Sequence, residues 1–372
     1  MEGSWWKSRN DLDDQQEAII TLPQDGRYIV TGPPGCGKTN LLVLRAVYLA
    51  RAGFQNLKLL TFGKALNSFI RTGVVGKGLD PSQVDRHVKW GRAFAVEHKP
   101  AAKETIDAIT NLNAKRTAIA SECRFIQEQL GPGAKPHQVI LVDEVQDLFA
   151  EELDVIVGAS DRLMLAGDTK QRVFRNGNGV SRAAELGFKE HKLTTHYRIG
   201  HAIAKVADRI FEPAHPSQSL NATCNYDESK LESSAELIEV DDRAEQFKRM
   251  TTKLRNQLKA YPKEFIGVLV AKTTAIADLR SRFDGSDLSD FVVYHDETVD
   301  GFSGDGRIHV MTIASAKGSE FRAVHLYAAE DTSSVQDNQS FWYTAVTRAK
   351  YSLHESPSDV IARRAEAQTI VA

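Results

Sequence analysis

Gly32-Pro33-Pro34-Gly35-Cys36-Gly37-Lys38-Thr39 fits the spacing G-x-x-x-x-G-K-[ST]. It follows an apolar β-rich run, Tyr28-Ile29-Val30, and precedes a helical pattern from Asn40 onward, the setting this spacing requires. Gly32, Gly35 and Gly37 let backbone N–H groups approach phosphate oxygens, and the helix N-terminus that follows adds positive potential. Lys38 suits the β- and γ-phosphates of a bound ATP, and Thr39 suits Mg²⁺. Further along, Val139-Ile140-Leu141-Val142-Asp143-Glu144 reads as a buried strand ending in two carboxylates. At the end of a parallel strand beside the phosphate-loop strand, Asp143 can reach Mg²⁺, and Glu144 can orient and deprotonate an attacking water. The chemistry is hydrolysis of a nucleoside triphosphate; these two segments do not say what it drives.

Such residues need a rigid frame. Short apolar runs alternate with helical patterns along most of the chain, which predicts α/β architecture with parallel sheets. Expected strands are 27–31, 57–62, 138–142, 162–166, 237–240, 265–270, 290–294, 308–313 and 323–327. The stretch 101–130 is helical in pattern, with Ile106, Ile109, Ile119 and Ile126 spaced for one face. At 372 residues the chain is long enough for two or three domains. The boundary is expected near His191, after the Gly-rich stretch 176–179, giving domains 1–190 and 191–372 with a short helical insert at about 72–137 in the first.

Composition excludes several classes. Hydrophobic residues at 42% and charged residues at 26% match a soluble globular chain, not a disordered, collagenous or coiled-coil one. No apolar run reaches the roughly 18 residues of a membrane span, and the N-terminus lacks the apolar segment of a secretory signal. Cys36, Cys123 and Cys224 have neither zinc nor disulfide spacing, so a reducing cytoplasm is expected. A net charge of −2 gives no global attraction to nucleic acid. Locally, residues 58–103 carry nine basic against three acidic residues, interleaved with Phe62, Phe69, Trp90 and Phe94. Trp90 and Phe94, four apart in a helical pattern, read as core.

Further segments follow in a fixed order. They are Leu12-Asp13-Asp14-Gln15-Gln16-Glu17-Ala18-Ile19, Thr61-Phe62-Gly63-Lys64-Ala65-Leu66, Asp143-Glu144-Val145-Gln146-Asp147, Gly167-Asp168-Thr169-Lys170-Gln171, His196-Tyr197-Arg198, the stretch 312–321 (TIASAKGSEF) and Tyr343-Thr344-Ala345-Val346-Thr347-Arg348-Ala349. In this order and spacing they resemble the motifs of superfamily 1 helicases of the UvrD/Rep/PcrA type, over nearly the whole chain. The resemblance implies two RecA-like P-loop NTPase domains with the ATP site between them. It implies that Gln15 or Gln16 reads adenine, the spacing to Ala18 favouring the first and the spacing from Leu12 the second. Tyr197 would stack on adenine, and Gly318 and Glu320 would belong to the nucleotide site, Glu320 at the ribose. Gln171 would couple the γ-phosphate to the nucleic-acid site, and Arg198 and Arg348 would stabilise γ-phosphate charge. Phe62 and Phe174 would stack on bases, with Lys64 and Arg175 on the strand's phosphates.

The chain departs from that pattern at Ala314, where the family has His, at Asn176, where a second stacking aromatic is common, and at Ser319, where Leu is usual. No room remains between Phe265 and Thr312 for the family's large accessory insert. The resulting expectation is a compact, Mg²⁺- and ATP-dependent translocase or helicase on single-stranded DNA, moving 3′-to-5′. RNA is the alternative strand. A nucleic-acid-gated ATPase subunit, signalling to a protein partner such as a nuclease, is the alternative role.

Overall fold

The computed structural model describes residues 8–172, 176–237, 240, 242–295, 306–329 and 339–355. Contacts divide the chain into two compact units. One comprises residues 1–32, 37–169 and 174–193, and the other 33–36, 170–173 and 194–372.

The first unit is built on a six-stranded sheet of β1 (Arg27–Thr31), β2 (Leu57–Thr61), β3 (Val84–Arg86), β4 (Val139–Val142), β5 (Leu163–Gly167) and β6 (Lys189–Lys192). Its order is β3-β2-β4-β5-β1-β6, and every pairing is parallel. The central strands β4 and β5 are buried throughout, which is why they read as unbroken apolar runs. Strand β5 lies between β1 and β4, so the carboxylate strand is not next to the phosphate-loop strand as the sequence suggested.

Among the described residues, eight α-helices accompany this sheet: α1 (Asp14–Ile20), α2 (Lys38–Arg51), α3 (Lys64–Gly73), α4 (His87–His98), α5 (Ala102–Asp107), α6 (Leu112–Leu130), α7 (Ala150–Ala159) and α8 (Gly179–Glu185). Helix α6 starts where Asn111 Oδ1 accepts from the Ala114 N–H at 3.0 Å. Its buried Ile119 and Ile126 join Trp90, Phe94 and Ile106 in one core with Ile140 and Val142 of β4. Each such side chain contributes roughly 1.5–3 kcal/mol by burial. The expected helical insert at 72–137 holds β3 as well as α4–α6. Its α4–α6 form part of a layer on the sheet, and β3 extends the sheet edge. The polar β6, Lys-Glu-His-Lys, carries the first unit's sheet past the expected boundary at 190.

The second unit repeats the plan. Strands β7 (Ser234–Leu237), β8 (Ile266–Val270), β9 (Val292–Tyr294), β10 (Ile308–Thr312), β11 (Phe321–Tyr327) and β12 (Ala349–Glu355) form a sheet in the order β7-β12-β11-β8-β10-β9, again all parallel. Helices α9 (His201–Ile210) and α12 (Gln339–Val346) contribute to one core with Leu269, Met311 and Val324. Helices α10 (Arg243–Ala260) and α11 (Thr273–Phe283) contribute to another with Ile266, Val268 and Val310. Neighbouring strand residues thus divide between two helical layers, as strand alternation requires. Both units are α/β with parallel sheets, consistent with a two-domain RecA-like core. No helix among the described residues is long and apolar enough to cross a membrane.

Candidate functional site

In the first unit, Gly37 ends the phosphate loop with φ +92°, a left-handed conformation that glycine adopts without strain, and caps α2. Lys38 Nζ donates to the Gly32 carbonyl at 2.8 Å, which places the ammonium back over its own loop. Thr39, one residue on, donates from Oγ1 to Asp143 Oδ2 at 2.6 Å. The first turn of α2 therefore meets the end of β4 although β5 intervenes in the sheet.

Asp143 and Glu144 are both buried. Burial and the neighbouring Glu144 charge push the Asp143 carboxyl above its ordinary range, against the hydrogen bond from Thr39, that from the Glu144 N–H and the Lys38 charge. Two adjacent buried carboxylates beside a threonine hydroxyl form a hard-oxygen set of the kind that fits Mg²⁺, and Thr39 and Asp143 are the residues that could hold it. Glu144 has a left-handed backbone, φ 57° and ψ 38°, which costs a residue with a side chain roughly 1–3 kcal/mol. Asp143 Oδ1 accepts from the Glu144 N–H at 2.9 Å and supports that turn.

The first helix places the two candidate glutamines differently. Asp13 and Gln16 form a reciprocal cap on α1, in which the Gln16 N–H donates to Asp13 Oδ1 at 2.8 Å. Gln16 is buried, and a Cβ on Gly37 would lie 3.1 Å from its Nε2, whereas Gln15 is exposed. Buried Arg45 on α2 holds the far end of α1. Its guanidinium donates to the carbonyls of Ile20, Leu22 and Pro23 at 2.6–2.7 Å. No motif pointed to Arg45; its only sequence signal is a cation on the otherwise apolar face of α2.

Phe62 is half-buried. Its ring stacks on His87 at 5.0 Å, and the Arg116 guanidinium lies 5.1 Å from its centroid. Arg116 pairs with Glu152, and its Nη2 donates to the Asp147 carbonyl at 2.7 Å. The aromatic of the expected strand-contacting segment thus shares a buried charged network with the end of D-E-x-Q-D. Lys64 is exposed. Much of the basic excess at 58–103 is answered internally: Lys89 by Asp85, Arg92 by Asp107, Lys99 by Glu122, while Lys58 and Arg71 donate to backbone carbonyls. Trp90 and Phe94 are buried in the core. Phe174 and Arg175 lie outside the described residues.

In the second unit, Glu320 forms an ion pair with Arg198, and its Oε2 lies 3.3 Å from Lys350 Nζ. The residue expected at the ribose is thus held by two cations, one of them a residue expected at the γ-phosphate. Burial, and then the Arg198 charge, lower the Lys350 pKa to about 8. Gly318 has φ +76°, and Tyr197 is half-buried. Residues 170–173 belong to this unit, and there Gln171 Oε1 accepts from Arg348 Nη2 at 2.7 Å. The buried Lys317 donates from Nζ to the Gln171 carbonyl at 2.7 Å. Lys317 lies in the 312–321 segment, where sequence reasoning gave it no role.

No curated protein is matched by this chain. Residues 92–354, more than two thirds of the 372, match the family described as viral superfamily 1 RNA helicase core domain. The match begins after the phosphate loop and takes in the D-E-x-Q-D, G-D-x-x-Q, Tyr-Arg and Thr-Arg-Ala segments. The chain therefore belongs to the viral superfamily 1 RNA helicase core family, and its expected kinship to superfamily 1 helicases holds at that level.

Proposed function

We propose that this helicase core hydrolyses ATP and uses the hydrolysis to move along a single strand. The observation that carries the reading is the Thr39–Asp143 hydrogen bond beside Glu144, which joins the phosphate loop to the carboxylate strand. When bound, Mg²⁺ supplies charge neutralisation at the β- and γ-phosphates. Gln16 and Tyr197 bind adenine. Lys38, drawn from the Gly32 carbonyl, neutralises phosphate, and Glu144 accepts a proton from the attacking water. Gln171 couples the γ-phosphate to the strand site, and Arg198 and Arg348 stabilise γ-phosphate charge, for which Arg198 must leave Glu320. Glu320 binds the ribose once released. Phe62 and Lys64 contact the strand.

The motif pattern favours single-stranded DNA and 3′-to-5′ movement. RNA is the second reading, favoured by the description of the matched family. The deciding measurement is the steady-state ATPase rate with single-stranded DNA, with RNA of matched sequence, and with neither. Stimulation by DNA alone supports the first reading, and stimulation by RNA alone the second. No ATPase activity under any condition would overturn the proposal. Stimulated ATPase without strand displacement by the isolated chain would instead favour a gated ATPase acting with a partner such as a nuclease.

A further inference from the structure

Gln146 lies two residues beyond Glu144 and is buried. Its Nε2 donates to Glu144 Oε2 at 2.6 Å, and its Oε1 accepts from the Asp168 N–H at 3.0 Å. The amide orientation follows from the partners, because an ionised carboxylate can only accept and a backbone N–H can only donate. No carboxylate or apolar side chain of the same length satisfies both. The surroundings are cut to this side chain. A Cβ on Gly167 would lie 2.7 Å from Gln146 Oε1 and 2.8 Å from Val145 Cγ1, and one on Gly177 would lie 2.3 Å from the Gln146 carbonyl. The glycine of G-D-x-x-Q is therefore explained by the glutamine of D-E-x-Q-D.

From this geometry we infer that Gln146 is a positioning residue for hydrolysis, which locks the Glu144 carboxylate in orientation and ties it to the backbone at Asp168. The inference rests on Glu144 being the base. The Glu144 backbone is left-handed and strained, and the Gln146 amide anchors its carboxylate to the backbone on the neighbouring strand end. A misplacement of about 1 Å in a catalytic group can cost about 10²-fold in rate.

The test is a double-mutant cycle on the full chain, with phosphate release as the readout. Gln146→Met should lower kcat by about 10–100-fold, with KM for ATP within about twofold of wild type. In a Glu144→Gln background the same change should alter kcat by less than about twofold, since the group it positions is gone. Equal loss in both backgrounds would mean that Gln146 acts only through general packing and would overturn the inference, as would wild-type turnover in Gln146→Met. If Gln146→Met fails to fold, Gln146→Glu, nearly identical in shape, carries the same cycle with the same expected non-additivity. Wild-type turnover in Glu144→Gln alone would refute the base itself and the inference with it, an outcome distinct from failure of the positioning role.

Discussion

Thr39 Oγ1 and Asp143 Oδ2 are 2.6 Å apart although 104 residues separate them in the chain. That contact turns two local patterns into one site, with Lys38 and Glu144 each one residue from it.

Lys38→Ala should reduce kcat/KM for ATP by about 10²-fold or more, because no other phosphate-loop side chain offers an ammonium. Glu144→Gln should reduce kcat by a similar factor while a fluorescent ATP analogue still binds. Phosphate release and analogue titration measure the two effects separately. An analogue bound equally well by Lys38→Ala and by wild type would count against its phosphate role.

Arg348→Ala should lower turnover by about 10³-fold and change nucleotide affinity far less, since a finger contact matters most in the reacting state. The comparison is kcat at saturating ATP against the dissociation constant of the analogue. Lost affinity with retained kcat would refute the assignment.

Phe62→Ala should weaken single-strand binding by roughly 1–3 kcal/mol without altering its salt dependence. Lys64→Ala should lower the slope of log K against log salt by about 0.7. Fluorescence anisotropy at several salt concentrations measures both. Because five of the nearby cations are engaged internally, the wild-type slope should be modest, and a steep one would show that those contacts open on binding.

Burial alone would raise the Glu152 carboxyl, but hydrogen bonds and charge from Arg116 and His87 hold it at about 2. Its folded pKa lies below the unfolded value of about 4.3, so the stabilisation is present above that pH and is lost as pH falls towards 2. Glu152→Gln should cost about 3 kcal/mol at pH 7, with the gap to wild type shrinking below about pH 4. Urea unfolding at pH 7 and pH 3 tests this, and an equal gap at both would remove the ionic explanation.

Gly179→Ala should destabilise by about 1–3 kcal/mol and slow hydrolysis as well, since the added Cβ would lie 2.1 Å from the Val145 carbonyl inside D-E-x-Q-D. Gly187→Ala serves as the control. Its glycine has φ +74° but nothing within 4 Å of a Cβ, so it should lose stability through backbone strain and leave kcat unchanged. Thermal unfolding and phosphate release, read together, separate the two effects.

The alternation of strands and helices, the phosphate loop, the carboxylate pair and the kinship to superfamily 1 are legible in the residues alone. Those features are set by local spacing: glycines where backbone must approach phosphate, apolar runs where a strand is covered on both faces. Strand β6 escaped because Lys-Glu-His-Lys at a sheet edge has no apolar pattern to read. Tertiary structure decided what pairing decides. It placed β5 between the two chemical strands, turned Gln16 and not Gln15 inward, and set Gln146 between Glu144 and Asp168. It gave Glu320 to Arg198 and Lys350, and it answered the cations of 58–103 with acids such as Glu122 that spacing could not assign to them. The physical reason is that a hydrogen bond or ion pair depends on register and helix phase between segments far apart in the chain, and neither is encoded in the spacing within one segment.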